Sequence, residues 1–93
     1  DQLLYMSRAP VPANKQMDFN GAWKQVCIYG FSAKHLQSYV MGEGKSLFES
    51  HEDIEILRFV ECGTPVQMVR VASGTVAVDF PEDVIAVEAL LKR

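Results

Sequence analysis

The chain has 93 residues, 48% of them apolar and 23% charged, with a formal charge of −3; this is the balance of one small globular domain with a thin core. The charge offers no basic footprint for a nucleic-acid backbone. No apolar run reaches the roughly 18 residues of a membrane span and no basic, then apolar, leader pattern is present, so a cytoplasmic location is expected.

In chain order, Gln2 to Met6 is a short strand-like run that ends before Pro10 and Pro12. The chain begins without a methionine and reads as entered midway. Residues 9 to 22, with two prolines, two asparagines and a glycine, read as a loop. Trp23 to Phe31 predicts the next strand, with Gln25, Cys27, Tyr29 and Phe31 on one face. Cys27 inside that pattern is expected to be a buried free thiol, and Cys62 lies too far away in sequence for a Cys-x-x-Cys site. His35 and His51 lack metal-site spacing.

Ser32 is placed to cap a helix over residues 33 to 41, ended by Gly42 and Gly44. Ser46-Leu47-Phe48-Glu49 has the form of a capping box. It opens a helix predicted to run to Cys62, with Gly63 just past its end. Leu47, Ile54, Leu57 and Val60 would form its apolar stripe, while Glu49 and Asp53 would face solvent. Glu55 stands in a row with Phe48 and Phe59, either at the border of the core or turned into a site.

Val66 to Val71 predicts a third strand, and Pro81 to Leu91 an amphipathic helix. The Gly74-Thr75 turn could form a phosphate-facing nest, although Ser-Gly-Thr is more commonly a plain loop. Asp79 lies between the extended run Val76-Ala77-Val78 and the last helix. It reads either as N-cap, with Glu82 closing a capping box, or as a site carboxylate at the end of a strand. Strand, helix, helix, strand, helix is an α/β order, in a single domain over residues 1 to 93.

Four spaced segments then occur in register: Tyr5-Met6-Ser7-Arg8-Ala9-Pro10-Val11-Pro12, Gln25-Val26-Cys27-Ile28-Tyr29-Gly30-Phe31, Leu47-Phe48-Glu49 through Glu55-Ile56-Leu57-Arg58 to Gly63, and Val78-Asp79-Phe80-Pro81-Glu82-Asp83. Together they resemble the C-terminal part of the 3-deoxy-manno-octulosonate cytidylyltransferase (CMP-Kdo synthetase) family. The resemblance implies a fragment of a Rossmann-like nucleotide-diphospho-sugar transferase fold, a mixed sheet with packed helices. It also implies transfer of CMP from CTP to a 2-keto sugar acid for cell-surface polysaccharide synthesis, with Mg2+ and as a homodimer.

By the same resemblance Asp79 looks like a magnesium ligand, Arg8 like a contact to the sugar carboxylate, and Tyr29 and Glu55 like contacts to sugar hydroxyls. Gln25 stands where the family commonly has a histidine; a glutamine can hydrogen-bond a hydroxyl or carboxylate but cannot carry a proton. The loop after Pro12 is shorter than the family's and lacks its tryptophan. The family's glycine- and basic-rich nucleotide loop and its second metal-binding aspartate have no counterpart in these residues. The chain by itself is therefore expected to be inactive, with the activity belonging to an intact protein. A cytidylyltransferase for another, sialic-acid-like sugar and a non-catalytic dimerisation or binding module are the alternatives.

Overall fold

The computed structural model describes residues 1–72, 74 and 76–92. Among the described residues four helices follow one another: α1, Ala33–Met41; α2, Leu47–Glu52; α3, Leu57–Glu61; and α4, Pro81–Leu91. Among the described residues there is no strand, only an isolated antiparallel bridge between Gln2 and Gln67. Leu3 N–H donates to the Val66 carbonyl at 2.8 Å and Met68 N–H to that of Asp1 at 2.6 Å. The expected α/β fold with a mixed sheet is therefore corrected to a small helical arrangement. The two runs predicted as first and third strands do meet, but over too few residues to make a ladder.

The expected strand from Trp23 to Phe31 is absent for a local reason as well. Cys27 has φ +60°, a left-handed conformation that bends an extended run at its middle. The predicted buried thiol is also corrected: Cys27 is exposed and free, as is Cys62. The possible nest at Gly74-Thr75 falls partly outside the described residues.

Helix α1 has the predicted ends. Ser32 Oγ accepts from His35 N–H at 3.2 Å, satisfying one of the N–H groups a helix start leaves without a partner. The long helix predicted from residue 47 to 62 is instead two short ones. Asp53 closes α2 in a left-handed conformation, φ 53° and ψ 47°, with its N–H on the Glu49 carbonyl. Aspartate tolerates this region better than most residues. The chain re-enters a helix through bonds from Leu57, Arg58 and Phe59 N–H to the carbonyls of Ile54, Glu55 and Ile56. Gly63, with φ +75°, ends α3. Its N–H donates to the Val60 carbonyl and Thr64 N–H to that of Phe59, the paired bonds of a Schellman end.

The break at Asp53 changes which side chains are inside. The core is Ile54, Ile56, Leu57 and Phe59, with Leu3, Met6, Tyr39, Val60 and Val66 packed on it. Leu47, placed in the apolar stripe by a single-helix reading, is exposed. Glu49, expected in solvent, is 1% exposed.

With α3 folded back, Arg58 Nε and Nη2 meet the two Glu49 carboxylate oxygens at 2.6 and 2.8 Å. Tyr39 Oη donates to Glu49 Oε1 at 3.2 Å, and Ser46 N–H to Oε2 at 3.2 Å. Arg58 also donates to the Tyr39 carbonyl and lies 3.8 Å from the centre of the Tyr39 ring. A forked guanidinium on a carboxylate, with the spare lone pairs used, is the arrangement a buried ion pair requires. The Ser46 hydroxyl half of the capping box is not closed: its Oγ is buried without a partner.

This small core leaves much of the chain uncovered. The accessible surface is 8032 Å², against roughly 5,400 Å² for a compact protein of this mass. The radius of gyration is 16.2 Å, against about 12 Å. Trp23 and Ile28 are 82% and 84% exposed.

Cutting one side of the ion pair leaves a buried charge without its partner, so Glu49→Ala is expected to cost about 3–5 kcal/mol. Replacing both Glu49 and Arg58 by methionine should cost much less than the two single losses combined. Urea denaturation followed by circular dichroism checks both. The Arg58 hydrogen bonds hold the Glu49 carboxyl below the ordinary carboxylate range against burial, which pushes it up; Ser46 N–H and Tyr39 Oη add to the lowering. A lowered carboxyl stabilises fully above its unfolded pKa, about 4.3, and that share is lost as the pH falls through the folded value. The urea midpoint should thus drop on acidification below about pH 4, with a shallower drop in Glu49→Gln.

Candidate functional site

The residue before α3's entry, Glu55, opens outward from the core, and two other segments converge near it. A cleft of ≈ 460 Å³ is lined by Ser7, Arg8, Gln25, Cys27, Tyr29, Asp53, Ile54 and Glu55. Arg8, Gln25, Tyr29 and Glu55, the predicted sugar-contacting residues, all lie in it. Asp79 does not line it.

The position of Arg8 follows from the end of α2. A helix C-terminus leaves carbonyls without intrahelical donors and carries partial negative charge. Arg8 Nε donates to the Glu52 carbonyl, and Nη2 to the Asp53 carbonyl at 3.2 Å. The Asp53 carboxylate lies 3.8 Å from the same guanidinium and 2.8 Å from Lys45 Nζ. The Glu52 carboxylate ties down the rest of the segment, accepting from Tyr5 Oη, Ser7 Oγ and Arg8 N–H at 2.9, 3.0 and 2.8 Å. These bonds lower its pKa, the Arg8 N–H most, then Tyr5, with Ser7 and the Arg8 charge adding, while burial opposes them.

On the opposite wall the bend at Cys27 turns Gln25 and Tyr29 toward each other, and Tyr29 Oη donates to Gln25 Oε1. The Tyr29 phenol is pushed up by burial first, then by Cys27 and the nearby Glu55 charge, so it stays an O–H donor at neutral pH. The cleft thus presents one guanidinium, one amide, one phenol and two carboxylates. This set can pair with a single carboxylate and several hydroxyls.

The start of α4 corrects the reading of Asp79 as a cap. Phe80 is the N-cap residue, and it is Asp83, not Glu82, that reaches back, accepting from Asp79 N–H at 3.0 Å and Phe80 N–H at 2.9 Å. Asp79 gives its backbone N–H to the cap, and its side chain is exposed. Among the described residues, no three His, Cys, Asp or Glu side chains gather as a metal-holding group.

Ser7, Cys27 and Asp53 also line the cleft, and sequence reasoning did not place them there. Ser7 had a signal in its place beside Arg8. Asp53 had none, because its turn is hidden in a helical pattern.

No family model matches the chain, and no solved structure matches it. Curated relatives do match along nearly all of it. A 3-deoxy-manno-octulosonate cytidylyltransferase of Bdellovibrio bacteriovorus is 32% identical over 96 residues, covering 98% of this chain and 38% of the relative. The Myxococcus xanthus protein of the same name is 38% identical over 90 residues, 96% of this chain and 36% of the relative. The chain is homologous to the C-terminal part of the 3-deoxy-manno-octulosonate cytidylyltransferases. It spans a little over a third of the length of these relatives. The four segments that carry the resemblance to these cytidylyltransferases bring Arg8, Gln25, Tyr29 and Glu55 into the cleft and supply Asp79 beside the α4 cap.

Asp83→Ala removes the acceptor for two N–H groups and is expected to cost about 1 kcal/mol, the scale of a helix cap. Asp79→Asn should leave stability unchanged. Thermal melts of the two variants, with amide exchange read across residues 81 to 86, distinguish them.

Proposed function

We propose that this chain is the sugar-acid-binding part of a cytidylyltransferase that moves CMP from CTP to a Kdo-like 2-keto sugar acid. The reading is carried by the convergence of Arg8, Gln25, Tyr29 and Glu55 on one cleft, and the homology to cytidylyltransferases supports it. In the proposed reaction the anomeric hydroxyl of the sugar acid gives up its proton to solvent and its oxygen attacks the α-phosphorus of CTP. The new O–P bond forms as the bond to the β-phosphate bridge breaks, and pyrophosphate leaves with that electron pair.

The residues of the cleft suit the acceptor sugar. The Arg8 contacts at the end of α2 use only part of its planar fork, and the remaining N–H groups suit a carboxylate. The Tyr29 phenol donates to a hydroxyl, Glu55 accepts from one, and Gln25 does either. Phosphoryl-type transfer depends on holding its partners in line and offsetting charge on the phosphates. Mg2+ would be held in part by Asp79, whose exposed carboxylate is left over from a cap that Asp83 supplies; a hard oxygen donor beside substrate phosphates and waters is the usual magnesium environment. When bound, the ion supplies neutralisation of the triphosphate charge. The many exposed apolar side chains favour association, and a homodimer is the form we propose.

Titration of the chain with Kdo should show binding that Arg8→Ala weakens at least about tenfold, the scale of one lost charge-assisted hydrogen bond, with the helical signal unchanged. Binding that is indifferent to Arg8 and Tyr29 would remove the sugar-acid reading. In the full-length enzyme, Asp79→Asn should keep the melting temperature and lose turnover by orders of magnitude, with partial recovery at high magnesium. Near wild-type turnover at limiting magnesium would remove the metal role.

A further inference from the structure

The charges around the cleft are out of balance. Of the eight described residues that line it, Arg8 carries the one positive side chain, against the carboxylates of Asp53 and Glu55. An anionic ligand that uses Arg8 therefore competes with a carboxylate of the protein itself. Asp53 is that competitor by position, since its Oδ2 lies 3.8 Å from Arg8 Nη2, close enough for attraction and too far for a hydrogen bond. Its other oxygen, Oδ1, is bonded at 2.8 Å by Lys45 Nζ, and Lys45 does not line the cleft. Glu52 is no second competitor, because its carboxylate is taken up by Tyr5, Ser7 and the Arg8 backbone N–H.

From this we infer that Lys45 is a positioning residue for the cleft: it draws the Asp53 carboxylate away from Arg8 and so leaves the guanidinium to the carboxylate of the ligand. The inference rests on the cleft being the sugar-acid site. A two-point grip on a guanidinium needs both oxygens of a carboxylate, and the oxygen bonded to Lys45 cannot join one. Without Lys45 both Asp53 oxygens are available to the Arg8 fork, in the arrangement that Glu49 makes with Arg58, and a ligand carboxylate has to break it. The bond from Lys45 and then its charge hold the Asp53 carboxyl below the ordinary carboxylate range, with burial opposing them and the Arg8 charge contributing least. That order is expected of a carboxylate that belongs to Lys45 rather than to Arg8. The residue types suit the division. An ammonium is a point charge on a flexible stem and can follow a carboxylate, while the planar guanidinium is the better grip for a ligand.

Calorimetric titration of the full chain with Kdo, and with its uncharged methyl ester, tests this in the wild type, Lys45→Met, Asp53→Asn and the double variant. The three side chains are all more than half exposed, so the change expected is that of a surface ion pair. Lys45→Met should weaken Kdo about threefold and leave the ester unchanged. Asp53→Asn removes the competitor while asparagine still accepts the left-handed backbone, and it should tighten Kdo about threefold. In that background Lys45→Met should change nothing further. Lys45→Arg, which keeps a donor for Asp53, should bind Kdo as the wild type does. Asp53→Gly, which takes the same positive φ without cost, replaces Asp53→Asn if the latter disturbs the turn.

An equal loss from Lys45→Met with and without the Asp53 carboxylate would overturn the inference, because Lys45 would then act on the ligand by its charge alone. No loss from Lys45→Met would overturn it too, as would weaker Kdo binding by the Asp53 variants with the helical signal unchanged. In each of these cases a loss on Arg8→Ala leaves the cleft reading standing. Failure of Kdo to bind, or binding indifferent to Arg8 and Tyr29, would overturn the cleft reading and the role of Lys45 together.

Discussion

The clamp between Glu49 and Arg58 is the interaction on which the rest of this structure depends. It joins α2 to α3 across the turn at Asp53, and through the carbonyl, ring and hydroxyl of Tyr39 it also holds α1. A buried pair of this kind does not outdo a well-packed apolar pair in net stability, since two charges lose their water to make it. Its contribution is geometric. The planar fork admits one mutual arrangement of the helices, and the aromatic stack of Phe31, Phe59 and Tyr39 sits on the surface that this arrangement creates.

The turn at Asp53 links that clamp to the cleft. Its left-handed backbone sends α3 back over α2, its carbonyl and carboxylate meet Arg8, and its side chain forms part of the cleft wall. One residue thus decides both the burial of Glu49 and the position of the guanidinium. The surrounding core is too small to impose such order alone, with four buried apolar side chains among the described residues. Specific polar contacts set the positions that packing alone would leave loose.

The start and end of α1, the start of α2 and the end of α3 were legible in the sequence because they rest on short-range chemistry, whereas the cap of α4 was assigned one residue early. Ser32, Glu49 and Gly63 act within a few residues of where they stand, and each does in space what its type predicts. What was not legible is the partnering of extended runs, which needs a second strand at a distance; residues 23 to 31 have an alternating pattern and no ladder. The break at Asp53 was hidden because Leu47 to Val60 fits a single helical wheel, and on that wheel Glu49 points to water. The grouping of Arg8, Gln25, Tyr29 and Glu55 was anticipated from family resemblance rather than from spacing. No local pattern ties residue 8 to residue 55, and the strand expected to align Gln25 with Tyr29 is replaced by a bend at Cys27 that brings them into contact.

The tether of the N-terminal segment to Glu52 has a consequence for the order in which the molecule assembles. The contacts between α2 and α3 close short loops, whereas those of Tyr5, Ser7 and Arg8 with Glu52 join residues 44 to 47 positions apart. Closing a long loop costs more chain entropy, and contacts distant in sequence form more slowly. The helices should therefore gather first and the segment bearing Arg8 should dock onto them afterwards. The cleft then takes shape after the helices have gathered, and in refolding the recovery of ligand affinity should lag behind that of helical signal.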